Sequence, residues 1–303
     1  MYDIVIVGAG PAGLTAAVYA RRAGKSVLLL DQGAFGGQIT FSPKVENYPG
    51  FESVSGSELA DRMVEQVLSQ GADVEVERVT EIRAEGRERV VVTEEGNEYL
   101  CRSVILATGA RHRHLGLENE EKFIGEGISF CAVCDGAFYK NKTVVLIGGG
   151  NSALQEAILL SETSKKVYVI QNLDFLTGEK RLEEILRGRQ NVEIITGTVV
   201  SAIADGEEFH AVTLKKTESG EKWELEADGM FVAIGLVPEN EAFREWADLD
   251  KNGYFDSDEG CLTRTEGIFV AGDCRRKGVR QVTTATADGA TAAIAACRYL
   301  DRL

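Results

Sequence analysis

The sequence predicts an α/β protein of two Rossmann-like dinucleotide-binding domains, the second inserted into the first. Three observations predict it. A strand, glycine turn and helix open the chain, a second copy of that pattern begins near residue 143, and an apolar strand ending in Gly-Asp returns near the C-terminus.

Taking the elements in order, Ile4–Val7 is an unbroken apolar run that reads as a buried strand. Gly8-Ala9-Gly10-Pro11-Ala12-Gly13 follows, and then the alanine-rich run Leu14–Ala20. One glycine makes the tight turn, one lets the backbone approach a pyrophosphate, and one lets helix pack on strand. The helix N-terminus then faces the phosphates. A second strand, Ser26–Leu30, ends at Asp31, about twenty residues after the glycines, where a carboxylate can accept from a ribose hydroxyl. A lone G-x-G-x-x-G is weak evidence; one with its strand, its helix and its acid is specific.

The second copy runs from Val144–Ile147 through Gly148-Gly149-Gly150-Asn151-Ser152-Ala153 to the helical Leu154–Leu160 and the strand Val167–Ile170. Two such motifs point to two nucleotide-type ligands, the logic of a flavin enzyme that takes hydride from a second cofactor. Apolar strands with small-residue ends occur at Ser103–Gly109 and Gly229–Gly235, and Gly267–Asp273 ends in a carboxylate that can meet a ribityl hydroxyl. An alanine-rich helix closes the chain, from about Thr283 to Leu300. The order of elements predicts a first domain made of residues 1–112 and 243–303, with residues 113–242 as the insertion.

The chain has 303 residues, 44% of them hydrophobic and 27% charged, as in a globular protein of two ordinary domains. Its net charge of −15 makes nucleic acid and anionic membranes poor partners. No apolar run approaches the ~20 residues that span a bilayer. The start lacks a basic leader, so a cytoplasmic protein is expected.

Of six cysteines, Cys101, Cys261, Cys274 and Cys297 stand singly and read as buried small hydrophobes. Cys131 and Cys134 form a C-x-x-C, which in a leaderless chain means redox chemistry or metal. Two-residue spacing closes a small ring poised for exchange. Asp135, next in sequence, can move protons as thiol and disulfide interconvert. Zinc would need two further ligands, and Cys261 with Cys274, or His112 with His114, would supply them only by coincidence of fold; no metal is expected.

Gly8-x-Gly10-x-x-Gly13, Gly36-Gly37-Gln38, Val45-Glu46-Asn47-Tyr48-Pro49-Gly50, Ala107-Thr108-Gly109-Ala110, Cys131-Ala132-Val133-Cys134-Asp135-Gly136 and Gly272-Asp273 with Arg280-Gln281-Val282 together resemble the low-molecular-weight thioredoxin reductases, from about residue 2 to 300. C-x-x-C-D-G immediately before the second glycine motif separates that family from glutathione-reductase-type enzymes. The resemblance implies an FAD site formed by Gly8, Gly10, Pro11, Ala12, Gly13, Asp31, Gln32, Gly37, Gln38, Asn47, Ala107, Thr108, Gly109, Gly272, Asp273, Arg280, Gln281 and Val282. It implies that Cys134 receives electrons from the flavin, that Cys131 attacks the disulfide of thioredoxin or a thioredoxin-like protein, and that Asp135 is the general acid and base. It also implies a homodimer, and an inserted domain that rotates to present the dithiol alternately to flavin and partner.

One departure concerns the electron donor. The family reads NADPH with His-Arg-Arg and a third arginine four residues after the second. Here the matching stretch is Gln171-Asn172-Leu173-Asp174-Phe175-Leu176-Thr177, with no cation in it. Each lost charge-assisted contact is worth about 1.5–3 kcal/mol, so NADP selectivity should largely be gone. The candidate nucleotide residues are Gly148, Gly150, Asn151, Ser152, Ala153, Gln171 and Asn172. Three donors stay open: NADH held by Gln171 or Asn172, NADPH held weakly, or a protein such as ferredoxin. A protein donor would need a basic landing site, for which Arg275-Arg276-Lys277 with Arg280, or Arg111-His112-Arg113-His114, are the candidates; the plainer reading of both runs, His112 and His114 included, is a solvated loop. Against the enzyme stands a flavin-bound redox sensor, which the lost arginines favour and the retained Asp135 opposes.

Overall fold

The computed structural model describes residues 1–33, 35–42 and 45–303, which include every candidate residue named above. The chain forms two compact units, one of residues 1–111 and 237–303 and the other of residues 112–236.

In the first unit the parallel strands lie in the order Asp73–Val76, Val27–Asp31, Tyr2–Val7, Glu98–Leu106. Val5 faces Leu28 on one side and Val104 on the other. The far edge of the long strand Glu98–Leu106 is shared. Its first half takes the antiparallel strand Glu88–Thr93, and its second half takes Ile268–Val270 in parallel, with Ile268 opposite Val104. Alternation along the strands splits the apolar residues between two cores. Ile4, Ile6, Leu29 and Ile105 pack under the helices, while Val5, Val7, Leu28 and Val104 pack on the opposite face.

Two helices, Pro11–Arg22 and Val282–Leu300, cover the first face through their small residues. A Cβ at Gly289 would lie 2.1 Å from the Ala12 carbonyl oxygen, so only glycine allows this approach. Proline at the first helical position has no N–H to leave unpaired there.

The second unit repeats the plan. Its parallel strands run Val192–Ile195, Lys166–Ile170, Thr143–Ile147, Gly229–Val232, Ile128–Ser129. The helix Asn151–Ser161 packs on them, and an antiparallel sheet of Thr198–Ile203, Ala211–Lys216 and Lys222–Glu226 adds its own apolar cluster.

The return crossing falls at 236–237, upstream of the expected 242. Asn240 explains the difference. It is buried, accepts from the Thr108 hydroxyl at 2.8 Å, and donates to the carbonyls of Gly253 and Cys274 at 2.9 and 2.8 Å, all within the first unit.

Candidate active site

The glycine turn of the first unit is shaped by close backbone contact. Gly8 has φ +105°, and a Cβ there would lie 2.2 Å from the Ala107 carbonyl oxygen. One at Gly13 would lie 1.8 Å from the Gly8 carbonyl. A Cβ at Gly10, by contrast, would meet nothing within 4 Å. Gly10 caps the helix Pro11–Arg22 with no side-chain hydrogen bond, so the helix start keeps amides for an anion. Asp31, at its strand end, accepts from the N–H of Ala9 at 2.6 Å and of Gly33 at 3.0 Å, tying the carboxylate to the turn. Gly37, φ +61°, lies against Gly10 and leads into the short turn Gly37–Phe41 that carries Gln38.

The other candidate residues of this unit gather in small groups. Asn47 donates to Gln281 at 3.2 Å, and Gln281 caps the helix that begins at Val282. Gln32 donates to Glu239 at 3.3 Å. Asp273 follows Gly272, whose φ is +83°. Its Oδ1 is buried without a hydrogen-bond partner among the described residues, and burial raises its carboxyl above the usual range while Lys277 and Arg280 oppose. An orphaned acceptor beside an open glycine turn fits a dinucleotide with a hydroxylated chain. These residues would therefore hold FAD, whose isoalloxazine supplies two-electron chemistry.

Two cations of the basic run after Asp273, Arg275 and Lys277, are turned into the unit. Arg275 donates to Asp288 through Nε and Nη2, both at 2.7 Å, and Lys277 donates to the same carboxylate at 2.8 Å, with all three side chains buried. Burial alone would raise the Asp288 carboxyl, but these hydrogen bonds hold it below its usual range. Arg280 lies over the Tyr254 ring at 4.2 Å, and Arg276 pairs with Asp256. Arg275 and Lys277 are spent on a buried ion cluster that also fixes the Gly272 turn, because Asp288 accepts from the Gly272 N–H at 3.0 Å.

In the second unit Cys131 and Cys134 are disulfide-bonded, with Cα atoms 5.3 Å apart, at the start of the short helix Ala132–Asp135. Ser129 organises the turn. Its hydroxyl donates to Asp135 Oδ2 at 2.6 Å and accepts from the Cys131 N–H at 3.1 Å. Asp135 Oδ1 is buried with no partner among the described residues, and burial raises the carboxyl while Ser129 opposes. Above it, Tyr139 is pushed up to about 12 by burial and by Asp135. A carboxyl whose pKa is raised holds its proton more readily, which suits it to proton transfer beside a dithiol. Cys101, Cys261, Cys274 and Cys297 are free thiols, all buried.

His114 is an exposed loop residue as expected, but His112 is half-buried in the short strand Arg111–His112. Their rings stack on Phe130, the residue before Cys131, at 4.9 and 5.1 Å. Burial, then His114, pushes His112 down to about 4, and His114 meets Glu121 at 2.9 Å.

The second glycine turn keeps its geometry. Gly148 has φ +136°, and a Cβ there would lie 2.5 Å from the Ala233 carbonyl oxygen, the counterpart of Gly8 and Ala107. Gly150 caps the helix Asn151–Ser161 with no side-chain hydrogen bond; Ser152 is exposed and Ala153 buried. The discriminating stretch is different. Gln171 is buried, packs over Gly149, and donates to the Phe175 carbonyl at 3.3 Å. The amides of Thr177 and Gly178 both donate to the Gly149 carbonyl at 2.8 Å. Asn151 is engaged with Glu179, accepting from its N–H at 2.7 Å. Asn172 is exposed, and Leu173 and Phe175 are 40% and 58% exposed.

Sequence reasoning missed four residues of these sites: Ser129, Glu156, Asn240 and Asp288. Glu156 accepts from the Ala132 N–H at 3.2 Å, inside the redox turn, and burial pushes it up to about 7. The inward spacing of its helix is the one cue that could have found it.

Known proteins agree with this arrangement. Residues 2–289 match the family described as pyridine nucleotide-disulphide oxidoreductase. A thioredoxin reductase of Listeria innocua is 40% identical over 100% of this chain and 95% of its own length. One of Bacillus subtilis is 39% identical over 100% and 96%. The crystal structure of thioredoxin reductase from Streptococcus pyogenes superposes with a TM-score of 0.94 at 37% identity, covering 100% of this chain and 99% of that one. Dithiol, glycine turns and full-length similarity together place the chain in the pyridine nucleotide-disulphide oxidoreductase family, among its FAD-dependent thioredoxin reductases.

Proposed function

We propose that this reductase transfers electrons to the disulfide of thioredoxin, or of a thioredoxin-like protein, from a donor other than NADPH. One observation carries the choice of donor: Gln171 is turned inward over Gly149, while Asn172, Leu173 and Thr177, all exposed, occupy the positions at which the family carries its arginines. Neither an arginine clamp nor a ribose-binding acid stands at this strand end. The same loss weakens the case for NADH and favours a reduced electron-carrier protein of the ferredoxin type. The run at 275–280 is a poor docking surface for it, because Arg275 and Lys277 are buried on Asp288 and Arg276 is paired with Asp256 at the surface.

The dithiol chemistry follows from the turn. Cys131 Sγ is the nucleophile toward the partner's disulfide, and Cys134 resolves the mixed disulfide. Asp135, oriented by Ser129, takes and returns the proton of the resolving thiol. This retained acid opposes a passive sensor.

Anaerobic mixing of the yellow protein with NADPH, NADH or reduced ferredoxin, followed by flavin absorbance, tests the donor. Bleaching by ferredoxin alone supports the reading. Fast bleaching by micromolar NADPH would sink it.

We propose further that the working form is a homodimer. A groove of about 440 Å³ lies between the helices Pro11–Arg22, Gly56–Ser69 and Val282–Leu300, lined by Leu14, Val18, Tyr19 and Met63. Its mixed lining of apolar and neutral polar side chains suits a second copy of this chain; a monomeric mass by light scattering would exclude it.

A further inference from the structure

The net charge of −15 is not spread evenly along the chain. Residues 129–170, which contain the redox turn, carry four lysines against three acids, whereas the whole chain carries 33 cations against 48 acids. All three of those acids are engaged. Asp135 accepts from Ser129 at 2.6 Å, Glu156 from the Ala132 N–H at 3.2 Å, and Glu162 pairs with Arg189 at 3.7 Å.

The fold gathers the lysines at one edge of the second unit's parallel sheet. Lys166 lies opposite Thr143 on the neighbouring strand, so the loops that feed both strands meet there. The Asn141 N–H donates to the Thr163 carbonyl at 2.9 Å, and the Lys165 N–H to the Lys142 carbonyl at 2.8 Å. Lys140, Lys142 and Lys165 are exposed and form no ion pair among the described residues; Lys166 is paired with Glu193 at 2.9 Å. Asp228, which also reaches this edge, accepts from the Thr143 N–H at 2.7 Å.

This edge continues from the redox turn. The short turn Gly136–Tyr139 follows Asp135 and leads directly into Lys140. Tyr139 is wedged at its end. The ring meets Phe231 edge-on at 5.1 Å and covers Gly229, where a Cβ would lie 2.1 Å from Tyr139 Cε1. Lys142 Nζ stands 5.4 Å from the centroid of the same ring. Burial, then Asp135, raises the Tyr139 hydroxyl, so one tyrosine adjoins both the redox turn and the lysine loop. Between the two cysteines, Val133 is 58% exposed. An apolar side chain at the reacting sulfurs, with cations beyond it, matches the apolar centre and polar rim of a protein interface.

We propose that Lys140, Lys142 and Lys165 form a docking face for an acidic disulfide-bearing protein, steering its disulfide to the Cys131–Cys134 pair. This rests on the reading of the acceptor as thioredoxin or a thioredoxin-like protein. A chain of net charge −15 repels an acidic partner at long range, so encounter is productive where the local sign is reversed. Three cations on two hydrogen-bonded loops supply that reversal. The occupant is the electron acceptor and not the donor, because the face continues from the dithiol turn, whereas the glycine turn at Gly148 lies at the far end of the strand Thr143–Ile147.

The test uses the flavin-loaded full chain, reduced anaerobically with stoichiometric dithionite and mixed with an acidic thioredoxin in its disulfide form. Thioredoxin thiols are counted by quenched alkylation. Charge reversal in K140E/K142E/K165E should lower the second-order rate constant about tenfold or more, the scale of electrostatic steering. In the unmodified protein the rate should fall as salt rises from about 0.01 M to about 1 M, while in the variant it should rise. The neutral disulfide 2,2′-dithiodipyridine should be reduced equally by both proteins. If both disulfides are reduced and neither substitution nor salt slows thioredoxin, the docking face is overturned while the dithiol reading stands. If neither disulfide is reduced, the dithiol reading fails and the docking face with it. Slower flavin reduction by reduced ferredoxin in the variant, with thioredoxin unaffected, would assign the lysines to the donor and overturn the proposal equally. The salt series on the unmodified protein decides the matter even if the variant fails to fold.

Discussion

At the scale of single residues, buried charge makes the firmest predictions. The folded Glu156 carboxyl is pushed up to about 7 from its ordinary 4.5. Below pH 4.5 folded and unfolded chains both hold this proton; through the window up to about 7 only the folded chain does. Stability from this group is therefore full at low pH and lost as pH rises through 7, a cost on the order of 3 kcal/mol above it. Glu156→Gln should raise the melting temperature at pH 8 and leave it nearly unchanged at pH 4.5; an equal shift at both values would show that titration is not the cause. Asp288 runs the other way, because its carboxyl is held low by Arg275 and Lys277. Asp288→Asn leaves two buried cations without their counter-charge, at about 3–5 kcal/mol. It should also release the Gly272 turn, which scanning calorimetry and loss of bound flavin would both report. Neither residue announces itself in the sequence. Asp288 sits inside an alanine-rich helix, thirteen residues from the arginine it neutralises, so the run Arg275-Arg276-Lys277 reads as a surface patch until the fold closes on it.

At the scale of elements, the two strand–turn–helix units are legible in the sequence because their shape depends on contacts between near neighbours. Gly8 and Gly148 each leave a left-handed turn against a carbonyl of the strand beside them, and only glycine fits. The turn after the Lys166–Ile170 strand is legible in composition but not in posture. Its lack of arginine is plain from the sequence. The folding of Gln171 onto Gly149, which removes it as a ribose ligand, depends on the loop returning its Thr177 and Gly178 amides to the same glycine. His112 reads as a solvated loop residue for a similar reason: its partner, Phe130, belongs to a distant segment. The element-scale prediction is a gain of function. In the variant N172R/L173R/T177R, three restored cations should tighten NADPH by at least tenfold, since even one charge-assisted contact of about 1.5 kcal/mol supplies that factor. Equilibrium titration of NADPH against the oxidised protein measures it. Unchanged affinity would mean that the inward Gln171, and not the missing charge, excludes the nucleotide.

At the scale of the whole molecule, the insertion is a self-sufficient body. Residues 112–236 own two apolar clusters, one between the parallel and antiparallel sheets around Val145, Ile147, Met230 and Val212, the other beneath the helix Asn151–Ser161. Its ends are already closed on each other, because the Arg113 N–H donates to the Gly235 carbonyl at 3.0 Å. The points of departure and return in the first unit are likewise adjacent: Arg111 pairs with Glu239 at 3.3 Å. Chain ends that meet on both sides of a cut make excision cheap in backbone strain and loop entropy. A fragment of residues 112–236 should therefore fold alone, unfold in one cooperative transition, and form the Cys131–Cys134 disulfide when oxidised, without binding flavin. The complementary chain, with residues 111 and 237 joined by a short glycine linker, should stay yellow, because every residue that would hold FAD lies within it. Circular dichroism and thiol titration decide the first half, and flavin absorbance after gel filtration decides the second. A fragment that stays unfolded would mean that its clusters need the first unit. A colourless remainder would mean that the flavin site is not completed by residues 1–111 and 237–303 alone.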